Sequence, residues 1–267
     1  MRSILKEEIK KIKGLMTINE GDVGGYMEST YLKTPEQAGI GEEETDVIIF
    51  DTIKDAIEHN MKLVMIRPEY VEAARKFIDN KGANLLVGTV IGFPYGNNSH
   101  AEKIDEALEA IENGVDELDF VVDYRAFLRG NRDKVMKEVS EGTAIGVDEG
   151  KVVKWIIESA ALTEEEIADL TSLIRDIVIE TVGEQQAINV FVKTSTGFFN
   201  PKGGGPGGAT EKAVSIMSQN AGPLQVKASG GIYSKDDLQK MVGAGASRIG
   251  TSSAKEIMLG QETDKDY

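Results

Sequence analysis

Eight short apolar runs recur along this chain, and the helical segments that follow them limit the folds open to it. The runs fall at about 26–32, 62–67, 84–91, 115–122, 152–158, 189–194, 224–228 and 247–250. The clearest helical segments between them are 69–80, 99–113, 163–182 and 234–244. Thr163 followed by Glu166 has the spacing of a capping box. Eight β–α units in 267 residues fit an α/β fold of one domain, the (β/α)₈ barrel. A doubly wound open sheet is the structural rival. It usually opens with a Gly-rich turn, and no GxGxxG follows the first run.

The reading divides the chain into 1–25, a helix and loop covering the barrel, 26–260, the barrel itself, and 261–267, a mobile polar tail. The short extra N-terminal helix is expected over 3–13, where Ile4, Leu5, Ile9 and Ile12 fall at roughly helical spacing. Two segments read as insertions at the C-terminal ends of strands: 34–45, acidic and turn-rich, and 198–209, rich in glycine. That face of a barrel carries the active site. A long loop there is a lid or specificity element, or only a flexible connection.

Net charge is −15, which argues against a nucleic-acid partner but not against a phosphorylated substrate held in a locally positive pocket. There is no cysteine, and the histidines are His59 and His100, so thiolate chemistry and multi-histidine metal sites are excluded. The charged start lacks an apolar signal core. No apolar run approaches the ~18 residues that span a bilayer. A cytoplasmic protein without membrane contact is expected.

Lys193, in FVKTSTG, and Lys227, in LQVKASGG, stand near the ends of the sixth and seventh runs. Ammonium groups inside apolar strands are costly without a reason. Two of them on neighbouring strands ~4.8 Å apart disfavour each other's charge. The free amine that results can attack a carbonyl and form a Schiff base. The alternative is a pair of structural salt bridges. In VDELDFVV, alternation sets Leu118, Phe120 and Val122 on one face and Asp119 and Val121 on the other. Asp119 thus becomes a candidate proton relay for the lysines, or a structural ion-pair partner. Asp116 and Glu117, nearer the start of the run, read as solvated. Ser229-Gly230-Gly231 and Gly250-Thr251-Ser252-Ser253 follow the seventh and eighth runs, where barrels often hold a phosphate. Simple serine capping is the alternative.

At these residues the chain resembles the deoxyribose-phosphate aldolase family. The stretches GTVIGFPYG (88–96), NGVDELDFVVDYRAFLRGN (113–131), KWIIESAALT (154–163), FVKTSTGF (191–198), VKASGGI (226–232) and GASRIGTSS (245–253) are similar to its motifs, in its order, from about 26 to 258. The resemblance implies reversible cleavage of 2-deoxy-D-ribose 5-phosphate to D-glyceraldehyde 3-phosphate and acetaldehyde, with no metal or other cofactor. It implies Lys193 as the Schiff-base lysine, Lys227 as the second lysine and Asp119 as the relay carboxylate. Gly230, Gly231, Ser252 and Ser253 would hold phosphate, with Gly250, Thr196 and Gly197 beside them. Glu28 and Thr30 would face the lysine pocket. A homo-oligomer, dimer or tetramer, is expected.

The chain departs from the family pattern in three places. Glu28-Ser29-Thr30-Tyr31-Leu32-Lys33-Thr34 stands where DHTLLKP is usual, Met65 where cysteine is common, and Phe199–Pro206 precede the GGAT at 207–210. These differences bear on the sugar and the acceptor aldehyde, not on the imine step. A Schiff-base aldolase for another sugar phosphate, a non-covalent phosphosugar isomerase or lyase using Asp119 as base, and a noncatalytic phosphosugar-binding barrel are the rivals. Tyr267 on the polar tail is a candidate to close over the barrel mouth.

Overall fold

The computed structural model describes residues 20–261 and 263. The helix expected over 3–13 and the tail residue Tyr267 lie outside the described residues. Eight parallel strands close in sequence order into a barrel: β1 (Met27–Thr30), β2 (Leu63–Ile66), β3 (Leu86–Ile91), β4 (Glu117–Val121), β5 (Val152–Ile156), β6 (Val190–Lys193), β7 (Gln225–Ser229) and β8 (Arg248–Thr251). A main helix follows each strand: α1 (Glu42–Glu58), α2 (Val71–Lys81), α3 (His100–Glu112), α4 (Arg132–Asp148), α5 (Glu164–Val182), α6 (Glu211–Asn220), α7 (Lys235–Ala244) and α8 (Ala254–Leu259). The open-sheet rival is excluded, because β1 pairs with both β2 and β8.

The sequence sets the helix starts through side-chain oxygens that accept otherwise orphaned backbone N–H groups. Ser99 with Glu102 and Thr163 with Glu166 form capping boxes, and Thr210 and Ser234 cap α6 and α7. The acidic stretch after β1 is more ordered than a turn-rich insertion. Thr34 and Gln37 form a third capping box on a short helix, Pro35–Ala38, and Glu42, Glu43 and Glu44 make the first turn of α1. Acidic residues favour that position because the N-terminal end of a helix is partly positive.

The strands are apolar on both faces because helices cover them outside and side chains fill them inside. The large core lies between strands and helices, where Trp155 stacks on Phe120 with ring centroids 4.8 Å apart. A smaller cluster of Leu32, Leu63, Met65 and Val90 lies inside the barrel on the β1–β3 side. Gly88 makes room for it: a Cβ there would stand 2.6 Å from Met65 Cε. A buried ion pair stiffens the rim. Lys103 on α3 donates to the carbonyls of Gly96 and Val121, each at 2.7 Å, and pairs with Glu138 on α4.

Candidate active site

The remaining barrel interior is ionic. Lys193 and Lys227 are register partners on β6 and β7, and Asp119 and Lys154 on β4 and β5. Glu28 on β1 lies 3.8 Å from Lys154 on β5, and Arg248 on β8 lies 3.0 Å from Glu117 on β4. These strands face each other across the ring, so the contacts run through its centre. Glu28 also pairs with Lys227 and, at 3.2 Å, with Arg248.

Asp119 is the hub. Its Oδ2 accepts from Lys193 and Lys227, both at 2.8 Å, and its Oδ1 accepts from Lys154 at 2.6 Å. Burial alone would raise the carboxyl pKa, but three ammonium groups outweigh it and hold Asp119 well below the ordinary range. Burial likewise works against the charge on Lys154. Asp119, Glu117 and Glu28 more than offset this, so its pKa is raised and it stays an ammonium. Lys193 behaves in the opposite way. Burial, with help from the positive charge of Lys227, pushes its pKa down to about 8, although Asp119 pulls the other way.

Charge counting agrees with that assignment. Lys154, Lys193, Lys227 and Arg248 meet three carboxylates, Glu28, Glu117 and Asp119. Four cations against three anions leave one positive charge in excess. Loss of one proton balances the interior, and Lys193 is the amine whose surroundings favour losing it.

A cavity of about 730 Å³ opens above this layer on the C-terminal face. Lys193 and Lys227 form its base, with Thr30, Thr196 and Gly197 beside them. Ser229, Gly230, Gly231, Gly250, Thr251 and Ser252 make one wall, and Phe198 and Gly204–Gly208 make another. Asp119 and Glu28 are fully buried and lie outside that lining, behind the lysines. Ser253 also lies outside the lining: its N–H donates to Thr251 Oγ1, and its Oγ accepts from Thr263 Oγ1.

Hydroxyls carry the β6–β7 pairing up to the mouth. Ser195 Oγ donates to the Ser229 carbonyl at 2.6 Å, and Ser229 Oγ returns a bond to the Ser195 carbonyl at 2.7 Å. The 198–209 segment has no helix or strand of its own. Its end is fixed where the Ala209 N–H donates to the carbonyls of Ser229 and Gly230.

Three interior groups escaped the sequence reading, and one was misplaced. Glu117, expected to be solvated, is buried and paired with Lys154 at 2.6 Å, because its side chain shares the inward face with Asp119. Asp116 does stay half-exposed, accepting from Val87 N and Arg75. Lys154 could have been found by the argument used for Lys193, since it too interrupts an apolar run. Arg248 gave no comparable signal. Neither did Glu158, just beyond β5. Glu158 is buried in a left-handed backbone conformation (φ 53°) and accepts from Thr196 Oγ1 at 2.5 Å. Burial pushes its carboxyl up to about 7, against the Thr196 hydrogen bonds. It lines a smaller cavity of about 160 Å³ with Tyr95, Tyr124, Arg125 and Phe199.

Among the described residues no group of three or more His, Asp or Glu side chains is placed to hold a metal ion. None of the described helices is long and apolar enough to cross a membrane.

A buried amine with a lowered pKa, tied to a second amine through one carboxylate at the mouth of a (β/α)₈ barrel, defines a barrel enzyme built for carbonyl chemistry. The chain belongs to the DeoC/LacD family of aldolases, whose model matches residues 33–258. The deoxyribose-phosphate aldolase of Staphylococcus haemolyticus (strain JCSC1435) is 38% identical over 238 residues, covering 89% of this chain and 99% of its own. Deoxyribose-phosphate aldolase 1 of Staphylococcus aureus (strain MRSA252) is 37% identical over 244 residues, covering 91% and 98%. The tetrameric deoxyribose phosphate aldolase of Aeropyrum pernix superposes with a TM-score of 0.75 at 28% identity, covering 94% and 95%.

Proposed function

We propose that this aldolase reversibly cleaves 2-deoxy-D-ribose 5-phosphate to D-glyceraldehyde 3-phosphate and acetaldehyde through a Schiff base on Lys193. The observation that carries the reading is the Lys193 amine: pKa about 8, at the base of the cavity, 2.8 Å from a carboxylate it shares with Lys227. The names of the staphylococcal relatives supply the substrate.

Neutral Lys193 adds to the C1 carbonyl of the open-chain sugar, and loss of water leaves an iminium. Acetaldehyde has two carbons, so the bond that breaks is C2–C3. The C3 hydroxyl gives up its proton, C3 becomes the carbonyl of glyceraldehyde 3-phosphate, and the C2–C3 electron pair moves into the iminium as an enamine. Protonation at C2 and addition of water release acetaldehyde and restore the amine. Asp119, with its pKa held so low, serves as a fixed acceptor that aligns both amines. The mobile proton travels on Lys227 or on water. Gly230, Gly231, Gly250 and Ser252 hold the phosphate end, which fixes the register of the sugar over Lys193. Ser253 supports that wall from behind.

The enzyme is expected to be a cytoplasmic homo-oligomer, as its relative from Aeropyrum pernix is tetrameric. Light scattering on the purified protein measures the assembly. The activity is tested by incubation with 2-deoxyribose 5-phosphate, borohydride reduction and peptide mass spectrometry, with acetaldehyde release followed in parallel. An adduct on Lys193 with acetaldehyde formed is the expected result. An adduct only with another phosphorylated carbonyl compound moves the substrate, and no adduct with any carbonyl compound overturns the imine mechanism.

A further inference from the structure

The cavity presents an electrostatic problem. A sugar phosphate carries close to two negative charges near neutral pH. Above Lys193 and Lys227, which are engaged with Asp119 and Glu28, the only charged side chain in the lining is Asp237, itself an anion. The residue directly after the Thr196-Gly197 turn is Phe198, packed edge-on against Phe93 with centroids 5.1 Å apart, and it offers no charge. Lys33 and Lys235, beside lining residues in the chain, already have interactions of their own. The phosphate end of the pocket therefore lacks a cation on its walls.

The glycine-rich loop that forms one wall carries one. The Gly204 N–H donates to the Pro201 carbonyl at 3.2 Å and closes a four-residue turn. Lys202 and Gly203 occupy its corners, with Gly203 at φ 113°. Lys202 is exposed and makes neither a hydrogen bond nor an ion pair with any described residue. Two residues further on, at most ~7.6 Å along the chain, Gly204 lines the cavity. Gly207 and Gly208 then anchor the far end of the loop. A Cβ on Gly208 would stand 2.3 Å from the Gly230 carbonyl, on the opposite wall. The turn is thus held at its base and free at its tip, with a flexible ammonium at the tip and glycines beside it.

We propose that Lys202 is the phosphate-facing cation of this enzyme: the 201–204 turn carries its ammonium onto the substrate phosphate, which Gly230, Gly231 and Ser252 hold from the other wall. The proposal rests on the reading of the cavity as a phosphosugar site. It gives the loop at 198–209 a task, selection of phosphorylated over unphosphorylated sugars, that the barrel walls alone do not perform.

The test uses Lys202→Gln, Lys202→Glu and Lys202→Arg in the full chain. KM and kcat are measured for 2-deoxyribose 5-phosphate and for 2-deoxyribose, and binding of inorganic phosphate is measured by calorimetry. Lys202→Gln is expected to raise KM for the phosphorylated sugar about ten-fold at nearly unchanged kcat, and to weaken phosphate binding by a similar factor. Lys202→Glu loses more, Lys202→Arg keeps most of the binding, and 2-deoxyribose kinetics do not change. Unchanged discrimination between the two sugars in Lys202→Gln, or phosphate binding that is absent or independent of residue 202, overturns the proposal. Phosphate binding that depends on Lys202 without turnover of either sugar would sustain this site and defeat the assigned reaction. Turnover with discrimination insensitive to Lys202 would do the reverse.

Discussion

Lys193 and Lys227 face each other in register on β6 and β7, and both amines lie 2.8 Å from the same oxygen, Asp119 Oδ2. That shared acceptor keeps two ammonium-forming groups together in a buried layer. It also separates their tasks, because only Lys193 has its pKa lowered to about 8. At pH 7 about one Lys193 side chain in ten is then a free amine, against fewer than about one in a thousand for an ordinary lysine.

The pH profile should show this directly. The logarithm of kcat/KM is expected to rise with pH and level off near pH 8, since attack on the carbonyl needs the neutral amine. Lys227→Met removes the nearby positive charge, so the rising limb should move to higher pH while turnover falls. A limb near the ordinary lysine value in the parent enzyme would contradict the assignment.

Lys154→Met tests the layer beneath. It leaves Glu117 and Asp119 buried with one fewer cation, and removal of one partner of a buried pair costs about 3–5 kcal/mol. Urea unfolding should show a loss of that order. Adding Glu117→Leu should recover part of it. A loss below about 1 kcal/mol would mean that water already shares these charges.

Glu158 predicts a pH dependence of stability. Its folded-state pKa of about 7 stands above the unfolded value near 4.5. Between those values the native chain binds more protons than the unfolded chain, so this group's contribution is complete below about pH 4.5 and fades as pH rises through 7. The full effect is about 3 kcal/mol. Glu158→Gln should flatten this slope relative to the parent, as read from unfolding midpoints at several pH values. Identical slopes in the two proteins would refute the assignment.

Gly208→Ala tests the anchor of the 198–209 loop. The new Cβ would collide with the backbone of Gly230, 2.3 Å away, where neither side can yield as a flexible side chain would. Overpacking of this kind costs about 1–3 kcal/mol. KM for phosphorylated substrates should rise several-fold as the two walls separate. Unchanged KM would show that the loop closes the pocket without that contact.

Much of this was legible in the chain. The eight apolar runs predict strands close to those observed, because burial on both faces leaves a strong local signal. Lys193, Lys227 and Asp119 stood out because charge inside an apolar strand needs a partner. The failures share one cause. Glu117 begins its strand and was read as solvated, since one-dimensional position says nothing about what lies across a barrel. Its partners, Lys154 and Arg248, come from strands 37 and 131 residues away. The Lys103–Glu138 pair and Glu158 were invisible for the same reason.

The sequence by itself therefore determined the alternation of strands and helices, the caps that start the helices and the residue types able to do the chemistry, because each depends on neighbours a few positions apart. Closure of the ring brought β1 opposite β5 and β4 opposite β8, and only that decided which charges meet. It made Lys154 a permanent ammonium and Lys193 an available amine. A lysine's proton affinity is set by its burial and by the charges within a few ångströms, and those come from every part of the chain.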